Sequence, residues 1–376
     1  MKKILFVVEN FKVGGVQKSL VNLLRGISDE YEIDVLPFDY SGDYLCDLPS
    51  GIKIVHPPAH YRMFAVPHAS LKGSFLWVYK LLFGLVAKLI NKGVAFGCCS
   101  PFYHPEGEYD VAISFSHSGF YKGVNGICPE FVLSKTKAKK KICFIHCDYQ
   151  NSGTGCIYNN KLYEKFDQIA CCSDSVRKVF LKSIPHLAAK TVTVRNLYDS
   201  RISDHAMEDM KLSGQMIHIF TVARLSKEKG VDRAVLALSH SKRKDICYYI
   251  IGDGSMKEAI RNLIHQEHLE DQVFLMGADA QPYSKLMNAD YLLVPSYNEA
   301  APMVFDEATV LNIPIISTDT TSAREMLSDS DYICENSIEG MKVVLEILEK
   351  PQIKHKKSAL VNNDLQIKQF QEMLEM

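Results

Sequence analysis

The chain has 376 residues, more than a single core of ordinary size holds, so two domains are expected. With 47% apolar and 23% charged residues, no low-complexity tract and no repeat, it reads as a globular protein and not a disordered or fibrous one. The net charge of −1 hides an asymmetry: residues 1–200 carry 24 basic against 17 acidic side chains, and residues 201–376 carry 19 against 27. The basic half is expected to face something anionic, and no nucleic-acid motif accompanies it.

The opening MKKILFVVEN contains a short apolar run that Glu9 and Asn10 end, with no small-residue cleavage site after it, so it reads as a first strand and not a signal peptide. KILFVV (3–8) is that strand, and GGVQKSLVNLLRGI (14–27) is a helix with apolar positions at Val16, Leu20, Leu23 and Leu24. EIDVLPF (32–38), KIVH (53–56), DVAISF (110–115), KICFIH (141–146), QIACCS (168–173) and TVTVRN (191–196) continue a strand-helix alternation, which predicts one doubly wound domain over residues 1–199.

One segment breaks the alternation. SFLWVYKLLFGLVAKLI (74–90) is mostly apolar but is interrupted by Lys80 and Lys88, which lie about 80° apart on a helical wheel and so share a side. It is read as a helix packed on the first domain, as one lying in a membrane interface, or as a span, for which it is short and charged. The five lysines of KTKAKKK (135–141) are either a solvated loop before a strand or a contact with anionic lipid. Eleven scattered cysteines without an export signal point to reduced cytosolic thiols. CFIHCDY (143–149) lacks the paired C-x-x-C of a zinc site.

Residues 200–215 are polar and aperiodic, which predicts an interdomain linker. A second series follows: IHIFTVA (217–223), ICYYIIG (246–252), VFLMG (273–277), YLLVPS (291–296), PIISTD (314–319) and YICE (332–335). The expectation is an α/β protein with two Rossmann-like doubly wound domains facing a central cleft. The second spans residues 216–360, and a C-terminal helix over 361–376 returns to the first domain.

Three strand ends of the second domain carry chemistry. TVARLSKEKGVDRAV (221–235) places Arg224, Lys229 and Gly230 between a strand and a helix. A forked guanidinium and a compact ammonium there make a diphosphate clamp, or else an ordinary solvated turn. IIGDGSMKEAI (250–260) places Gly252 and Gly254 at another strand end, which alone signals only a turn. In YNEAAPMVFDEA (297–308), Pro302 suits the first position of a helix running to about Asn312, whose buried stripe is Val304, Ala308 and Leu311. Glu299 then stands in the turn before the helix and Glu307 flanks the stripe. The plain alternatives are a charge at a helix start and a surface carboxylate.

Taken together and in this order, these elements resemble the GT-B glycosyltransferases of family 4. Glu299 and Glu307 match the family's Glu, seven residues, Glu; Arg224 and Lys229 match its R-x-x-x-x-K; and Gly14-Gly15 match its glycine-rich first turn. GDG, VFLMG and SAREML (322–327) also resemble their counterparts.

The resemblance implies that Arg224 and Lys229 bind the donor's diphosphate and stabilise the leaving nucleotide, that Glu307 holds ribose hydroxyls, and that Glu299 contacts the transferred sugar. Gly14, Gly15, Gly252 and the Ala300, Ala301, Pro302, Met303 and Val304 backbone are the further donor-binding candidates. His146 resembles a family histidine that reaches the donor sugar or the acceptor, although a strand-end histidine bonded to backbone is the plainer reading. His117 and Asp148 are weaker candidates.

The family often has Gly-Phe-Gly after the first glutamate, where this chain has Ala-Ala-Pro. Transfer with retention is implied, and no metal or other cofactor is required. Asp329-Ser330-Asp331 reads as a turn.

The expected activity is therefore transfer of a sugar from a nucleotide diphosphate-sugar, with uridine as the expected base, to a glycan or lipid-linked acceptor in cell-surface polysaccharide synthesis. The expected location is cytoplasmic, peripheral at the inner face of the membrane. A nucleotide-sugar epimerase of the same fold, which needs donor alone, and a catalytically silent partner subunit are the alternatives. An NAD-dependent oxidoreductase lacks its fingerprint in either half.

Overall fold

The apolar runs become strands because both of their faces are covered. In the computed structural model, which describes residues 1–99, 102–199, 201–202, 210, 212–351 and 362–376, Ile4, Leu5, Phe6, Val7 and Val8 of the first strand are fully buried. A parallel sheet flanked by helices demands this near-continuous apolar pattern.

Two compact units form, Met1–Leu197 with Asn363–Met376, and Tyr198–Asn362. The first contains β1 (Lys3–Val8), β2 (Glu32–Pro37), β3 (Lys53–Ile54), β4 (Tyr109–Ser114), β5 (Ala138–Ile145), β6 (Gln168–Cys171) and β7 (Thr191–Thr193), all parallel in the order β3-β2-β1-β4-β5-β6-β7. Its helices are α1 (Gly15–Ile27), α2 (Phe75–Leu89), α3 (Lys92–Cys99), α4 (Cys128–Lys135), α5 (Ile157–Tyr163) and α6 (Asp174–Ser183). The order reverses between β1 and β4, so the loops after these two strands diverge and leave a crevice at their carboxyl ends.

The second unit repeats the plan with β8 (Ile217–Val222), α7 (Val231–His240), β9 (Ile246–Ile251), α8 (Lys257–Gln266), β10 (Val273–Gly277), α9 (Tyr283–Leu286), β11 (Tyr291–Val294), α10 (Met303–Val310), β12 (Ile315–Thr318), α11 (Ala323–Met326), β13 (Tyr332–Cys334) and α12 (Ile338–Ile347). Its six parallel strands run β10-β9-β8-β11-β12-β13, with the reversal between β8 and β11. The C-terminal helix α13 (Asp364–Glu375) belongs to the first unit, where the buried Phe370 stacks on Phe6 with ring centroids 6.3 Å apart.

Three sequence expectations change in three dimensions. Of the stretch 200–215, residues 200, 203–209 and 211 lie outside the described residues. The fully buried Ile202, however, sits in the core of the second unit with Tyr198, Met210 and Leu212 against it, so these described positions are packed and not solvated.

The segment 74–90 is a helix, but Lys80 does not share solvent with Lys88. The Lys80 ammonium is buried and donates to Met63 O (2.7 Å), Val66 O (2.6 Å) and Asn125 Oδ1 (3.2 Å). Phe75, Val78, Leu81, Leu82, Leu85 and Leu89 are exposed instead, and at 100° per residue they fall within about a third of the helix circumference. Among the described residues no helix is long and apolar enough to cross a membrane.

The lysine run 135–141 is largely consumed by the fold. Lys139 pairs with Asp110, Lys140 Nζ donates to Met373 O at the end of α13, and Lys141 Nζ donates to Leu133 O. A strand with committed lysines replaces the expected loop.

Candidate active site

Strand ends deliver the charged groups of the second unit. β8 ends at Val222, and Arg224 and Lys229 follow in the turn before α7. Gly230 closes that turn at φ 60°, and a Cβ there would lie 2.3 Å from Pro295 O, so glycine alone lets the Lys229 turn approach the loop after β11. The approach brings Lys229 Nζ to 2.7 Å from Glu299 Oε1, and Ser296 Oγ donates to the same oxygen at 2.6 Å. Glu299 is 9% exposed and Lys229 about a quarter exposed. The pair is thus partly desolvated and stronger than a surface contact.

Arg224 is turned outward and pairs with Glu228 at 2.7 Å. The Glu228 carbonyl in turn receives the Tyr297 N–H, a second tie between the two loops. Burial works to raise the Glu228 carboxyl, but the neighbouring Ser226 hydroxyl, its own backbone N–H and the Arg224 guanidinium hold it below the ordinary range.

Gly252 has a positional reason stronger than turn chemistry. A Cβ on it would meet Ala223 O at 1.8 Å, so the Gly-Asp-Gly turn lies directly against the backbone that carries Arg224, and Asp253 O receives the Leu225 N–H.

α10 begins after Pro302 and ends at Val310, shorter than the expected 312. Met303, Phe305, Glu307, Ala308 and Val310 are all buried, with Val304 partly so. The helix is enclosed on most sides and not along one stripe, and Glu307, 4% exposed, is not a surface residue. Ala300 and Ala301 are half-buried at its start. Asp329, Ser330 and Asp331 form a turn, where Ser328 N donates to Asp331 Oδ2 and Asp331 N to Ser328 O.

Gly14, Gly15 and His146 belong to the first unit. Gly14 precedes α1 in extended backbone (φ 175°), and a Cβ there would meet only the mobile Gln17 side chain at 2.7 Å. His146 follows β5, its ring stacked on Phe144 (5.6 Å) and tilted against Phe115 (4.8 Å). Its Nε2 is buried and finds no partner among the described residues, so that nitrogen is not bonded to backbone. Burial, helped by the nearby His117, pushes its pKa down to about 3, so the ring is neutral in ordinary conditions. Asp148 shapes the loop by accepting from Gln150 N, Asn151 N and Asn151 Nδ2.

Two groups escaped the sequence. Ser296 fixes the Glu299 carboxylate, and its place three residues before the glutamate was the available signal. Arg233, almost fully buried, spans the two loops: it donates to Pro295 O (2.6 Å) and Asn336 Oδ1 (2.9 Å), and its guanidinium lies 3.6 Å from the Tyr297 ring centroid. No motif marks it.

This arrangement puts an ammonium, a guanidinium and a carboxylate on adjoining carboxyl-end loops, the chemistry of a polyanion seat beside a hydroxyl acceptor. Residues 205–362 match the family described as glycosyl transferases group 1. That stretch takes in Arg224, Lys229, Gly252, Glu299 and Glu307.

Among curated proteins, the chain is 29% identical over 195 residues to the Campylobacter jejuni N-acetylgalactosamine-N,N'-diacetylbacillosaminyl-diphospho-undecaprenol 4-alpha-N-acetylgalactosaminyltransferase, covering 49% of this chain and 52% of that protein. The chain spans about half the length of this relative and 43% of the next, an uncharacterized glycosyltransferase of Methanocaldococcus jannaschii.

Two solved structures extend the likeness of fold to the whole chain. Anabaena HepE in complex with UDP and glucose superposes with a TM-score of 0.64 at 15% identity, covering 99% of this chain and 96% of that one. Sucrose-phosphate synthase from Thermosynechococcus elongatus superposes with a TM-score of 0.72 at 14% identity, covering 100% and 98%. The fold is α/β with two parallel sheets and alternating helices, the GT-B glycosyltransferase architecture.

Proposed function

We propose that the chain is a retaining glycosyltransferase of family 4 that moves a sugar from a UDP-sugar to a glycan or lipid-linked acceptor during cell-surface polysaccharide assembly. The observation that carries this reading is the 2.7 Å contact between Lys229 and Glu299, with Arg224 five residues before the lysine. An ammonium held ready by a carboxylate can exchange it for a diphosphate, and the freed Glu299 can accept from sugar hydroxyls.

As the sugar leaves, negative charge grows on the nucleotide diphosphate, where Arg224 and Lys229 stabilise it without a metal. Glu307 is assigned to the ribose, Gly252 and the backbone from Ala300 to Val304 to the donor, and Gly14 and Gly15 to close approach in the first unit. His146, a neutral ring with an unpartnered nitrogen, is assigned to a sugar or acceptor hydroxyl. The names of two similar proteins favour these choices: one acts on a diphospho-undecaprenol compound and the other was solved with UDP and glucose.

The location assigned is the cytoplasmic face of an anionic membrane. The exposed apolar stripe of α2 is accompanied by the exposed Lys72 and Lys88, and no acidic residue occurs between Asp47 and Glu106.

The test is a thermal-shift screen over UDP-, GDP- and ADP-sugars, followed by product analysis with and without glycan or lipid-linked acceptors. Stabilisation by UDP-sugar and an acceptor-dependent, retained product is expected. Conversion of the donor alone gives the epimerase instead. Flotation with phosphatidylglycerol vesicles is expected to carry the protein, and Leu82→Asp with Leu85→Asp to abolish this; no flotation of the unmodified chain removes the membrane assignment.

A further inference from the structure

Arg233 stands near the start of α7 with its side chain 5% exposed, and among the described residues its hydrogen bonds go to neutral oxygens and not to a carboxylate. A desolvated charge without a counter-ion is costly, so packing alone does not account for a guanidinium here.

Its contacts fall on one short stretch of the loop after β11, on both sides of Ser296. Arg233 Nη2 donates to Pro295 O at 2.6 Å, and the guanidinium carbon lies 3.6 Å from the Tyr297 ring centroid. Nη1 donates to Asn336 Oδ1 (2.9 Å) and Asn336 O (3.2 Å), and Asn336 Nδ2 donates in turn to Tyr297 O (2.9 Å). A planar fork can bond a carbonyl and an amide while an aromatic ring covers its face, which a point ammonium cannot do. One side chain thus holds the residues before and after Ser296, whose hydroxyl donates to Glu299 Oε1 at 2.6 Å.

The backbone of Arg233 is tied to the lysine turn. Its N–H donates to Gly230 O at 3.0 Å, and Gly230 directly follows Lys229. A Cβ on Gly230 would lie 2.3 Å from Pro295 O and 2.9 Å from Arg233 Nε, so the one missing side chain admits both the carbonyl and the guanidinium. The turn that carries Lys229 and the loop that carries Glu299 are therefore clasped by the same residue.

We propose that Arg233 is a positioning residue that fixes the spacing of the Lys229 turn and the Glu299 loop, so that the pair opens by exchange for a ligand and not by parting of the loops. The inference rests on the donor reading of that pair given above. Substrate meets Lys229 and Glu299, and Arg233 acts through them.

The experiment combines amine acetylation of the full chain, read by peptide mass spectrometry against the exposed Lys242, with sugar-transfer kinetics. In Arg233→Met, Lys229 is expected to acetylate several-fold faster than in the unmodified chain. Turnover is expected to fall by roughly 10²-fold, the cost of a small misplacement of a reacting group. In a Lys229→Ala background the same substitution is expected to cost less than about 3-fold, because its target is gone. Unchanged acetylation of Lys229 in an Arg233→Met chain with native circular dichroism overturns the proposal. So does a turnover loss that repeats in full in the Lys229→Ala background, as general loosening of the fold would give. If the unmodified chain transfers no sugar, the function proposed above fails, and acetylation alone decides this inference. If Arg233→Met does not fold, Asn336→Ala decides: faster acetylation of Lys229 supports the clasp, and an unchanged rate overturns it.

Discussion

The two sheets end in opposite ways. At the carboxyl end of the second sheet, charged groups are already paired: Lys229 with Glu299 and Arg233 with Pro295 O and Asn336 across loops, and Arg224 with Glu228 within one turn. At the same end of the first sheet, His146 buries a nitrogen with no partner among the described residues, its ring against Phe115 and Phe144. A site for a polyanion must keep its cations solvated or paired until the ligand arrives, because an isolated buried charge is costly. A site for neutral hydroxyls can leave a neutral imidazole unpaired at a smaller cost. The same architecture thus presents one end suited to ionic exchange and one suited to hydrogen bonding.

The sharpest way to break this contrast is Lys229→Ala. Sugar transfer is expected to fall by ~10²–10³, as when one charge-stabilising donor is removed. Thermal stability should fall by only about 1–2 kcal/mol, since Glu299 loses its cation but keeps the hydrogen bond from Ser296. Steady-state kinetics with calorimetric melting checks this, and equal losses of activity and stability would merge the lysine with the scaffold.

Gly252→Ala tests whether the Arg224 backbone is braced by the glycine turn. With Ala223 O only 1.8 Å from the added carbon, a cost of about 3 kcal/mol is expected in chemical denaturation; a loss below about 1 kcal/mol would show the turn gives way freely.

On the first unit, His146→Gln tests the neutral ring. The folded pKa of about 3 lies below the unfolded value near 6.5. The unfolded chain therefore binds the extra proton between these values, and the folded state loses stability as pH falls below about 6.5. The native chain is expected to lose about 1.4 kcal/mol per pH unit relative to His146→Gln in that window, with no divergence above it. Parallel curves down to pH 4 would mean the ring is solvated.

The smallest effect is expected for Glu228→Gln. Arg224 and Glu228 are 69% and 50% exposed, so stability should change by less than about 1 kcal/mol in urea titration.

Much of this was legible in the chain. Unbroken runs such as KILFVV and ICYYII, alternating with helical stretches, read as buried parallel strands, and Pro302 marked the helix start between Glu299 and Glu307. Lys80 was misread because a helical wheel shows direction and not neighbours: the carbonyls of Met63 and Val66 that draw it inward belong to a distant loop. The same holds for the lysines of 135–141, whose partners lie on β4, α4 and α13. Arg233 has no signature, because its role consists wholly of contacts to residues 62 and 103 positions away.

What the sequence by itself determined is which segments are strands and helices, their parallel order of succession and the presence of an acid–base set at strand ends. These follow from local periodicity and from glycine and proline stereochemistry. Only the tertiary structure decided which charges are paired and which are buried, because those outcomes depend on desolvation and on partners brought from far along the chain.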